Sequence, residues 1–461
     1  GLHSNNNYLK IMTVDLSQNY IDETLKRFFV CKQKTKMRPN KRQFLFAPFK
    51  VTEVKCRSIE HPRPRSGHRI VCDDGNIYCF GGYNPSLPIP IIQRENATWT
   101  PSRPLFRELW SFSLTSRKWK QHTVVQNMPD ELASNAMYMS GRYLMIFGGT
   151  GAPFGNKCSN DVIVWRTCRH HDAKFQVLNV SGTKPPGQYG QAVLCYNGYF
   201  YTVGGTNGFA YNCDIYRLDL RTLVWESVYV GTGQEGEPIG RYRHEVARVG
   251  EELYVIGGGT GEWAFELMEI PVFNLETKKW TIKSAKADDS QKDIVAPLPR
   301  KCHSAVQVDT PNGVQVFVAG GSDGQSVFED IWRLNISDLQ WTLMQKTVLP
   351  HPLYFHSSTV TSFGCMYVFG GIEPREHSTS RNNVLYKVWL CIPKLSEMCW
   401  DLMTTLHPKL HKIERQHLIN LGIPIHFVDR VHPLEISQNL HICILIQIYN
   451  NKICIGTCLR W

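Results

Sequence analysis

Four-residue motifs that begin with arginine and end with histidine recur along this chain of 461 residues. They are RSGH at 65–68, RYRH at 241–244 and RKCH at 300–303, with the variants QYGQ at 188–191 and LYFH at 353–356. A guanidinium is planar and permanently charged, so several of them around one pocket suit bidentate capture of a carboxylate or a phosphate. The motif predicts an anion receptor made of Arg65, Arg241 and Arg300, with Arg243 beside them.

Two other features of these motifs limit that prediction. The positions that we align with the arginines in the remaining repeats carry Glu131, Gln188 and Leu353, so the ring of positive charge is incomplete. Each arginine has a structural alternative, in which it braces neighbouring loops, and the sequence leaves that alternative open. The histidines at the fourth position are interpreted as buried hydrogen-bonding groups, namely His68, His244, His303 and His356.

Aromatic and hydroxyl side chains accompany the arginines. Tyr189, Tyr242 and Tyr354 stand at the second motif position, and threonine or serine follows four paired glycines. Aromatic walls with a few convergent hydrogen-bond donors suit the end of a short peptide. Phe209 and Trp263 are further candidate walls. The residues predicted to line this site are Arg65, Arg241, Arg243, Arg300, Tyr189, Tyr242, Tyr354, Thr206, Trp263 and Ser322.

Catalysis has little support in the sequence. A copper oxidase would need clustered His and Tyr ligands, and the best histidine pair, in RHHD at 169–172, is better explained as a surface turn. The glycine-rich stretches at 147–155 and 256–263 lack the Lys-Ser/Thr that completes a phosphate-binding loop. The sequence therefore predicts no catalytic residue, no metal site and no cofactor.

Six repeats position these residues. Apolar, β-branched runs each end in paired glycines, the second of which are Gly82, Gly149, Gly205, Gly258, Gly321 and Gly371. These glycines lie 50 to 67 residues apart, and a third and a fourth apolar run follow most pairs. Four short strands in each such period indicate the blades of a β-propeller, with Trp119, Trp225, Trp280, Trp341 and Phe175 in the core.

The sixth repeat ends at Pro393 before any fourth strand. An incomplete blade would leave an exposed strand edge, which is an aggregation hazard. We therefore expect the run at 43–56 to complete the last blade. The predicted fold is an all-β, six-bladed propeller over 43–392, with repeats that start near 65, 131, 188, 241, 300 and 353.

A helical pattern replaces the strand pattern after Pro393. Leu395, Cys399, Met403 and Leu406 fall on one face of a helix. The sequence predicts a small α-helical module over 393–432. One alternative is a helix that merely caps the propeller.

These motifs resemble known families. The paired glycines and spaced tryptophans are similar to the kelch repeat over about 65–392. Leu-x-x-x-Cys-x-x-x-Met is similar to the BC-box that docks onto elongin C, although Lys394 stands where Ser, Thr or Pro usually precedes the leucine. Ile423-Pro424-x-x-Phe427 is similar to the cullin-box that selects cullin-2. Together the chain resembles kelch substrate receptors of cullin-2 RING ubiquitin ligases.

The resemblance implies a non-catalytic receptor that reads C-terminal degrons with small endings, such as Pro-Gly or alanine, at the propeller mouth. It implies contact with the elongin B/elongin C pair through Leu395, Cys399 and Met403. It also implies contact with cullin-2 through Ile423, Pro424 and Phe427. The alternative is a kelch scaffold, cytoskeletal or signalling protein without a ligase role, which would use the outer faces of the blades.

Composition agrees with an intracellular protein. The formal net charge is +11, but apart from the basic run at 32–42 the Lys and Arg residues are scattered, so 1–42 is interpreted as a flexible, solvated leader. The 15 cysteines include no CxxC pair, which disfavours a disulfide framework and a zinc module. We expect a soluble protein of the cytoplasm and nucleus, without nucleic-acid or membrane partners. No function is assigned to the atypical tail at 433–461.

Overall fold

The computed structural model describes residues 46–86, 104–122, 128–167, 175–292, 295–407 and 409–433. The predicted leader at 1–42, the histidine pair near 170 and all but the first residue of the tail lie outside these residues. Within them, six sheets form a ring and a helical module follows. This confirms the predicted all-β, six-bladed propeller with a C-terminal helical region.

The strands follow the repeats. Before blade 1 comes β1 (Thr52–Glu53). Blade 1 contains β2 (Arg69–Cys72), β3 (Asn76–Phe80), β4 (Leu109–Ser113) and β5 (Lys118–His122). Blade 2 contains β6 (Ala136–Ser140), β7 (Tyr143–Phe147), β8 (Val162–Arg166) and β9 (Gln176–Val177). Blade 3 contains β10 (Ser181–Gly182), β11 (Ala192–Tyr196), β12 (Tyr199–Thr206), β13 (Tyr211–Asp219) and β14 (Val224–Tyr229).

The second half of the ring has the same pattern. Blade 4 contains β15 (Glu245–Val249), β16 (Glu252–Ile256), β17 (Glu269–Asn274) and β18 (Lys279–Ser284). Blade 5 contains β19 (Ser304–Thr310), β20 (Gly313–Ala319), β21 (Ile331–Asn335) and β22 (Gln340–Leu343). Blade 6 contains β23 (Ser357–Val360), β24 (Cys365–Phe369) and β27 (Leu385–Trp389), with the hairpin β25 (Ile372–Arg375) and β26 (Ser378–Arg381) inserted.

The chain closes the ring with a strand from before the first repeat. β1 pairs antiparallel with β27, with Thr52 opposite Lys387, and the order in this sheet is β1-β27-β24-β23. β1 thus supplies the fourth, outer strand that the sixth repeat lacks. This is the position expected from the sequence for the run at 43–56.

Six apolar cores hold the blades together, one between each pair of neighbours. One core joins Tyr78 and Phe80 of blade 1 to Leu144 and Trp165 of blade 2, and the last joins blade 6 back to blade 1. Alternating side chains of each strand face the two adjacent cores. Most of the aromatic residues predicted as core are buried, namely Trp119, Trp225, Trp341 and Phe175, and Trp280 is partly buried.

A ring of backbone hydrogen bonds surrounds the axis. The third residue of each repeat motif donates its N–H to the carbonyl of the equivalent residue in the preceding blade, and the sixth bond closes the circle at N–O distances of 2.7 to 3.2 Å. All six residues have left-handed φ angles of 54° to 69°. We call them the axial ring; they are Gly67, Ser134, Gly190, Arg243, Cys302 and Phe355.

In four blades the fourth motif residue is hydrogen-bonded to the blade before it, through His68, Gln191, His244 and His356. A hydrogen bond of 3.1 Å joins His68 Nε2 to the carbonyl of Phe369, and Gln191 Nε2 donates to Phe147 in the same way. His244 Nε2 is 3.0 Å from the carbonyl of Val203.

His356 Nε2 lies 2.8 Å from the Ser304 hydroxyl of blade 5, so the prediction of a buried hydrogen-bonding role is confirmed for His68, His244 and His356. For His303 it is wrong, because this histidine is buried but neither of its ring nitrogens has a hydrogen-bond partner among the described residues.

Three helices complete the described chain: α1 (Leu395–Leu406), α2 (Arg415–Asn420) and α3 (Ile425–Val431), with a short 3-10 turn at Leu410–Lys412. They enclose a small core of their own around Trp400, Leu418 and Phe427. Within the described residues, no helix combines the length and the apolar character needed to cross a membrane.

We predict that acid weakens the propeller through these histidines. Burial lowers the pKa of His244 to about 3 and that of His356 to about 4, whereas an unfolded histidine titrates near 6.5. Below about pH 6.5 the unfolded chain therefore binds more protons than the folded one, so the free energy of unfolding decreases as the pH falls toward 4. Urea unfolding between pH 7.5 and 4.5 measures this slope.

The matched variant is His244→Gln, because Gln191 makes the equivalent bond in blade 3 without a titrating group. We expect a shallower decrease of the unfolding midpoint with pH than in the wild type. An unchanged slope would show that His244 does not carry the effect.

Candidate functional site

The paired-glycine loops and the repeat motifs meet at one end of the channel, which we call the mouth. There each second motif residue forms a single β-bridge with the residue that follows its glycine pair. The bridged pairs are Ser66–Tyr83, Ala133–Thr150, Tyr189–Thr206, Tyr242–Gly259, Lys301–Ser322 and Tyr354–Ile372. The structure thus brings five of the predicted residues together, namely Tyr189, Tyr242, Tyr354, Thr206 and Ser322.

The second glycine of each pair fixes the neighbouring motif. Its N–H donates to the carbonyl of the first motif residue of the next blade, as in Gly149 to Gln188 and Gly371 to Arg65. In blade 2 this residue is Leu132, because Gly82 donates to its carbonyl. The sequence alignment at Glu131 is therefore one residue too early.

Arg65, Arg241 and Arg300 brace their own blades instead of lining an open pocket. Each guanidinium donates from Nη1 to the carbonyl of the first glycine of its blade's pair, at 2.8 to 3.0 Å, and from Nε to the carbonyl two residues earlier. Each also lies over a phenylalanine ring. All three are buried. This corrects their assignment as a ligand-binding trio, because their donors are directed into the fold.

Two of these arginines have carboxylate partners. Arg65 Nη2 lies 2.7 Å from Glu108, and Arg300 makes a bidentate pair with Asp330 at 2.6 and 3.0 Å. Arg241 makes no ion pair among the described residues, and burial lowers its pKa to about 10.

Arg243 has a different environment. It belongs to the axial ring, is 5% exposed, and reaches from blade 4 to the Ser134 hydroxyl of blade 2. Its guanidinium lies 4.7 Å from the centre of the Phe355 ring, and its Nε is buried without a hydrogen-bond partner. No carboxylate in the described part of the chain forms an ion pair with it, and burial lowers its pKa. Arg243 is thus a buried charge with unused donor capacity beneath the mouth.

The mouth contains a second cation, Arg381, that is not among the residues predicted from the sequence. Arg381 ends β26, lies 5.5 Å over the Tyr83 ring, and its Nε is 3.4 Å from the Ser66 hydroxyl. It is half-buried, and its pKa is lowered by that burial. The available signal was the charge of the segment after Gly371, which carries Arg375 and Arg381, whereas the shorter loops of blades 3 and 5 carry no arginine.

Hydroxyl groups shape the loops of the mouth. Thr206 Oγ1 donates to the Ala210 carbonyl at 2.7 Å and accepts from the Gly208 N–H. Ser322 makes the equivalent pair of bonds in blade 5. These two predicted ligand donors are already engaged, so their role is to hold the loops in shape.

Aromatic side chains stand on one side of the mouth. Trp263 is 67% exposed and Phe209 is 86% exposed, and both lie in loops that follow glycine pairs, as the sequence places them. Phe154, from the corresponding loop of blade 2, is half-exposed and lies 4.9 Å from Tyr83. Blades 2 to 4 thus present an apolar wall.

Beneath the axial ring the channel is wide. Arg69 of blade 1 and Glu245 of blade 4 form a 2.7 Å ion pair across it. A cavity of about 590 Å³, lined by apolar side chains such as Val71 and Val308 and by polar ones such as Arg248 and Asp309, opens toward the other face. Over the described ranges, no group of three or more His, Cys, Asp or Glu side chains is arranged to hold a metal ion.

The first helix of the module has two different faces. Leu395 is 73% exposed, Leu406 is exposed, and Cys399, Leu402 and Met403 between them are partly exposed. We call these five residues the α1 stripe. Glu397, Trp400 and Thr404 occupy the buried face.

The predicted cullin-binding residues are divided between surface and core. Pro424 is exposed, but Ile423 and Phe427 are buried, and Phe427 stacks on Trp400 at 4.9 Å. Ile423 and Phe427 therefore cannot themselves form an exposed docking surface, which corrects their assignment as contact residues. They hold the turn that carries Pro424 and the exposed Ile425.

Comparisons with known proteins agree with the fold. The chain matches the KLHDC2/KLHL20/DRC7 Kelch-repeats domain over residues 43–258 and 243–419. Kelch domain-containing protein 10 homolog of Drosophila melanogaster is 40% identical over 446 residues, covering 91% of this chain and 71% of the relative. Kelch domain-containing protein 10 of Mus musculus is 37% identical over 403 residues, covering 87% of this chain and 88% of the relative. Kelch domain-containing protein 2 of Bos taurus is 22% identical over 349 residues.

We predict that Arg65→Ala lowers the free energy of unfolding by about 3–5 kcal/mol, because it leaves the carboxylate of Glu108 buried without its main partner. The matched control is Arg63→Ala, since Arg63 contacts the same carboxylate at 3.1 Å but is partly exposed. For this variant we expect the free energy of unfolding to decrease by about 1 kcal/mol or less. Urea unfolding measures both. A wild-type midpoint for Arg65→Ala would argue against the bracing role.

Proposed function

Since this chain belongs to the Kelch domain-containing protein 10 family, we propose that it is a substrate-recognition subunit of a cullin-2 RING ubiquitin ligase. In this role α1 binds elongin C, and with it elongin B, while the mouth of the propeller binds the C-termini of substrate proteins. The chain itself positions a substrate and performs no transfer chemistry.

The α1 stripe is the observation that carries the proposal. A helix whose only task is to cap a propeller would turn its apolar face toward the blades, because exposed apolar surface is unfavourable. Here the charged and small residues of α1 face the propeller, and Leu395 faces outward. An exposed leucine with a small cysteine one turn later suits a helix-in-groove contact.

For cullin-2 we propose a narrower contact than the sequence suggests. Pro424 and Ile425 form the exposed part of this motif. Ile423 and Phe427 then act indirectly, as the buried residues that hold the turn in place.

The mouth supports recognition of a small C-terminal residue. Its floor is the axial ring of backbone hydrogen bonds. Arg243 offers a buried guanidinium without a carboxylate partner among the described residues, and Tyr189 and Tyr242 contact each other close to it. A terminal carboxylate would complete the coordination of this charge.

A kelch scaffold without a ligase role is the second candidate. The exposed aromatic wall of Phe154, Phe209 and Trp263 suits a protein partner of either kind. The two candidates differ in whether elongins accompany the chain.

We expect elongin B, elongin C and cullin-2 to co-purify with the wild-type chain and to be lost from Leu395→Ser/Cys399→Ser. Truncation of a central interface residue costs about 2 kcal/mol or more, so affinity should fall by at least about 30-fold. The matched control is Ile392→Ser, which removes an equally exposed apolar side chain just before the helix. Failure of the folded wild type to recover elongins would favour the scaffold.

We expect a peptide with a free, small C-terminus to bind the mouth, and the same peptide with an amidated terminus to bind at least about tenfold more weakly. Arg243→Met should lower the affinity for the free peptide by about 30-fold or more, because removal of one partner of a buried charge pair costs about 2–5 kcal/mol. Arg248→Met, in the same blade but on the opposite side of the axial ring, should leave binding unchanged. Fluorescence polarisation measures all four; equal binding of the amidated peptide would rule out carboxylate recognition.

A further inference from the structure

The helical module rests on the face of the propeller opposite the mouth. The mouth carries the loops that follow the second strand of each blade, whereas the module contacts turns between first and second strands and between third and fourth strands. These contacts involve Gly75 and Arg117 of blade 1 and Phe363 of blade 6. The α1 stripe and the mouth therefore lie at opposite ends of the molecule.

One arginine joins three parts of this contact. Arg430 of α3 makes a bidentate ion pair with Glu397 of α1, with both N–O distances at 2.7 Å. The same guanidinium lies 4.3 Å from the centre of the Phe363 ring and 4.7 Å from that of Phe427. Arg430 thus fixes α1 and α3 to each other and to blade 6.

A second set of contacts ties α1 to the blades. Asp401 accepts from Lys387 Nζ of β27 at 3.0 Å and lies 4.0 Å from Arg117. Arg117 also donates to the Thr405 hydroxyl at 2.7 Å. Two separate attachments along one helix fix its direction as well as its position.

Gly75 shows how closely the helical module approaches blade 1. A Cβ added to Gly75 would lie 2.7 Å from the carbonyl oxygen of Arg430, although Gly75 itself has no left-handed φ. Arg142 in blade 2 and Glu251 in blade 4 occupy the same turn position as Gly75 in blade 1. In each of these blades the carbonyl of this residue accepts a hydrogen bond from the backbone N–H of the residue that follows the third strand. The turn therefore tolerates side chains, and it is the docked module that requires glycine here.

We propose that Arg430, Asp401 and Gly75 are positioning residues that hold the α1 stripe at a fixed angle to the mouth. This inference rests on the proposed ligase function. A substrate held at the mouth reaches the transferring enzyme only through the orientation of α1, and misplacement of reacting groups by about 1 Å can cost about 100-fold in rate. The contacts at the opposite face would thus govern transfer without touching substrate or elongin.

The test uses the full chain assembled with elongins B and C, cullin-2, a RING protein, a ubiquitin-conjugating enzyme and a carrier protein that ends in the binding peptide. Three quantities are measured: recovery of elongin, affinity for the free peptide, and the rate and lysine pattern of ubiquitin transfer. The variants are Gly75→Ala and Arg430→Ala. The control is Arg142→Ala, which places the same alanine at the equivalent turn of blade 2.

We expect both variants to keep elongin recovery and peptide affinity within about twofold of the wild type. Their transfer rate should fall by about tenfold or more, and ubiquitin should spread to other lysines, while Arg142→Ala matches the wild type. A mere loss of stability would not change the lysine pattern.

Three outcomes would overturn the inference. Wild-type transfer by both variants would show that the angle is unimportant. Loss of elongin recovery in the variants would show that the contacts fold the α1 stripe instead of orienting it. A wild-type chain that recovers no elongin would remove the proposed function itself, and this is seen before any variant is made.

Discussion

The axial ring is the constraint on which the rest of the propeller depends. Six N–H groups and six carbonyls, one pair from each blade, satisfy one another around the axis. Four of the six residues are not glycine, so their left-handed φ angles cost on the order of 1–3 kcal/mol each. The interblade cores offset this cost, because no blade buries both of its faces without its two neighbours.

The ring also explains why neighbouring residues of one motif have unrelated roles. The left-handed residue at the third motif position turns the chain. The residue before it therefore pairs with a glycine-pair loop, as Tyr242 does with Gly259. The residue after it points to the preceding blade, as His244 does in bonding to Val203. Arg241 and Arg243 are two positions apart and illustrate the difference. Arg241 donates back to the carbonyl of Gly257, whereas Arg243 extends across the channel.

The fold was largely predictable from the sequence because glycine pairs and strand periodicity are local signals. Paired glycines, spaced aromatic residues and a missing fourth strand identify six blades without knowledge of any contact. The placement of β1 is predictable for a similar reason, because the sixth repeat ends at Pro393 without a fourth strand. The alignment at Glu131 failed because four of the six ring residues are not glycine, so the left-handed position has no constant residue type.

Site residues were less predictable because side-chain direction depends on contacts between distant segments. A repeated arginine is consistent both with a receptor and with a brace, and only the carbonyls of Gly81, Gly257 and Gly320 decide between them. Phe427 belongs to a short motif, but its burial depends on Trp400, which lies in another helix. Arg381 stands outside the recurring four-residue motifs, so a search among those motifs could not identify it.

The separation of surfaces follows from the way propeller blades are connected. Loops after second strands collect on one face, and turns after first and third strands collect on the other, so a module attached by those turns is necessarily remote from the mouth. The positioning role proposed for the module requires that rigidity be built into the attachment. Charged pairs such as Arg430–Glu397 and Lys387–Asp401 are directional, unlike an apolar patch, and therefore suit a contact whose angle matters more than its strength.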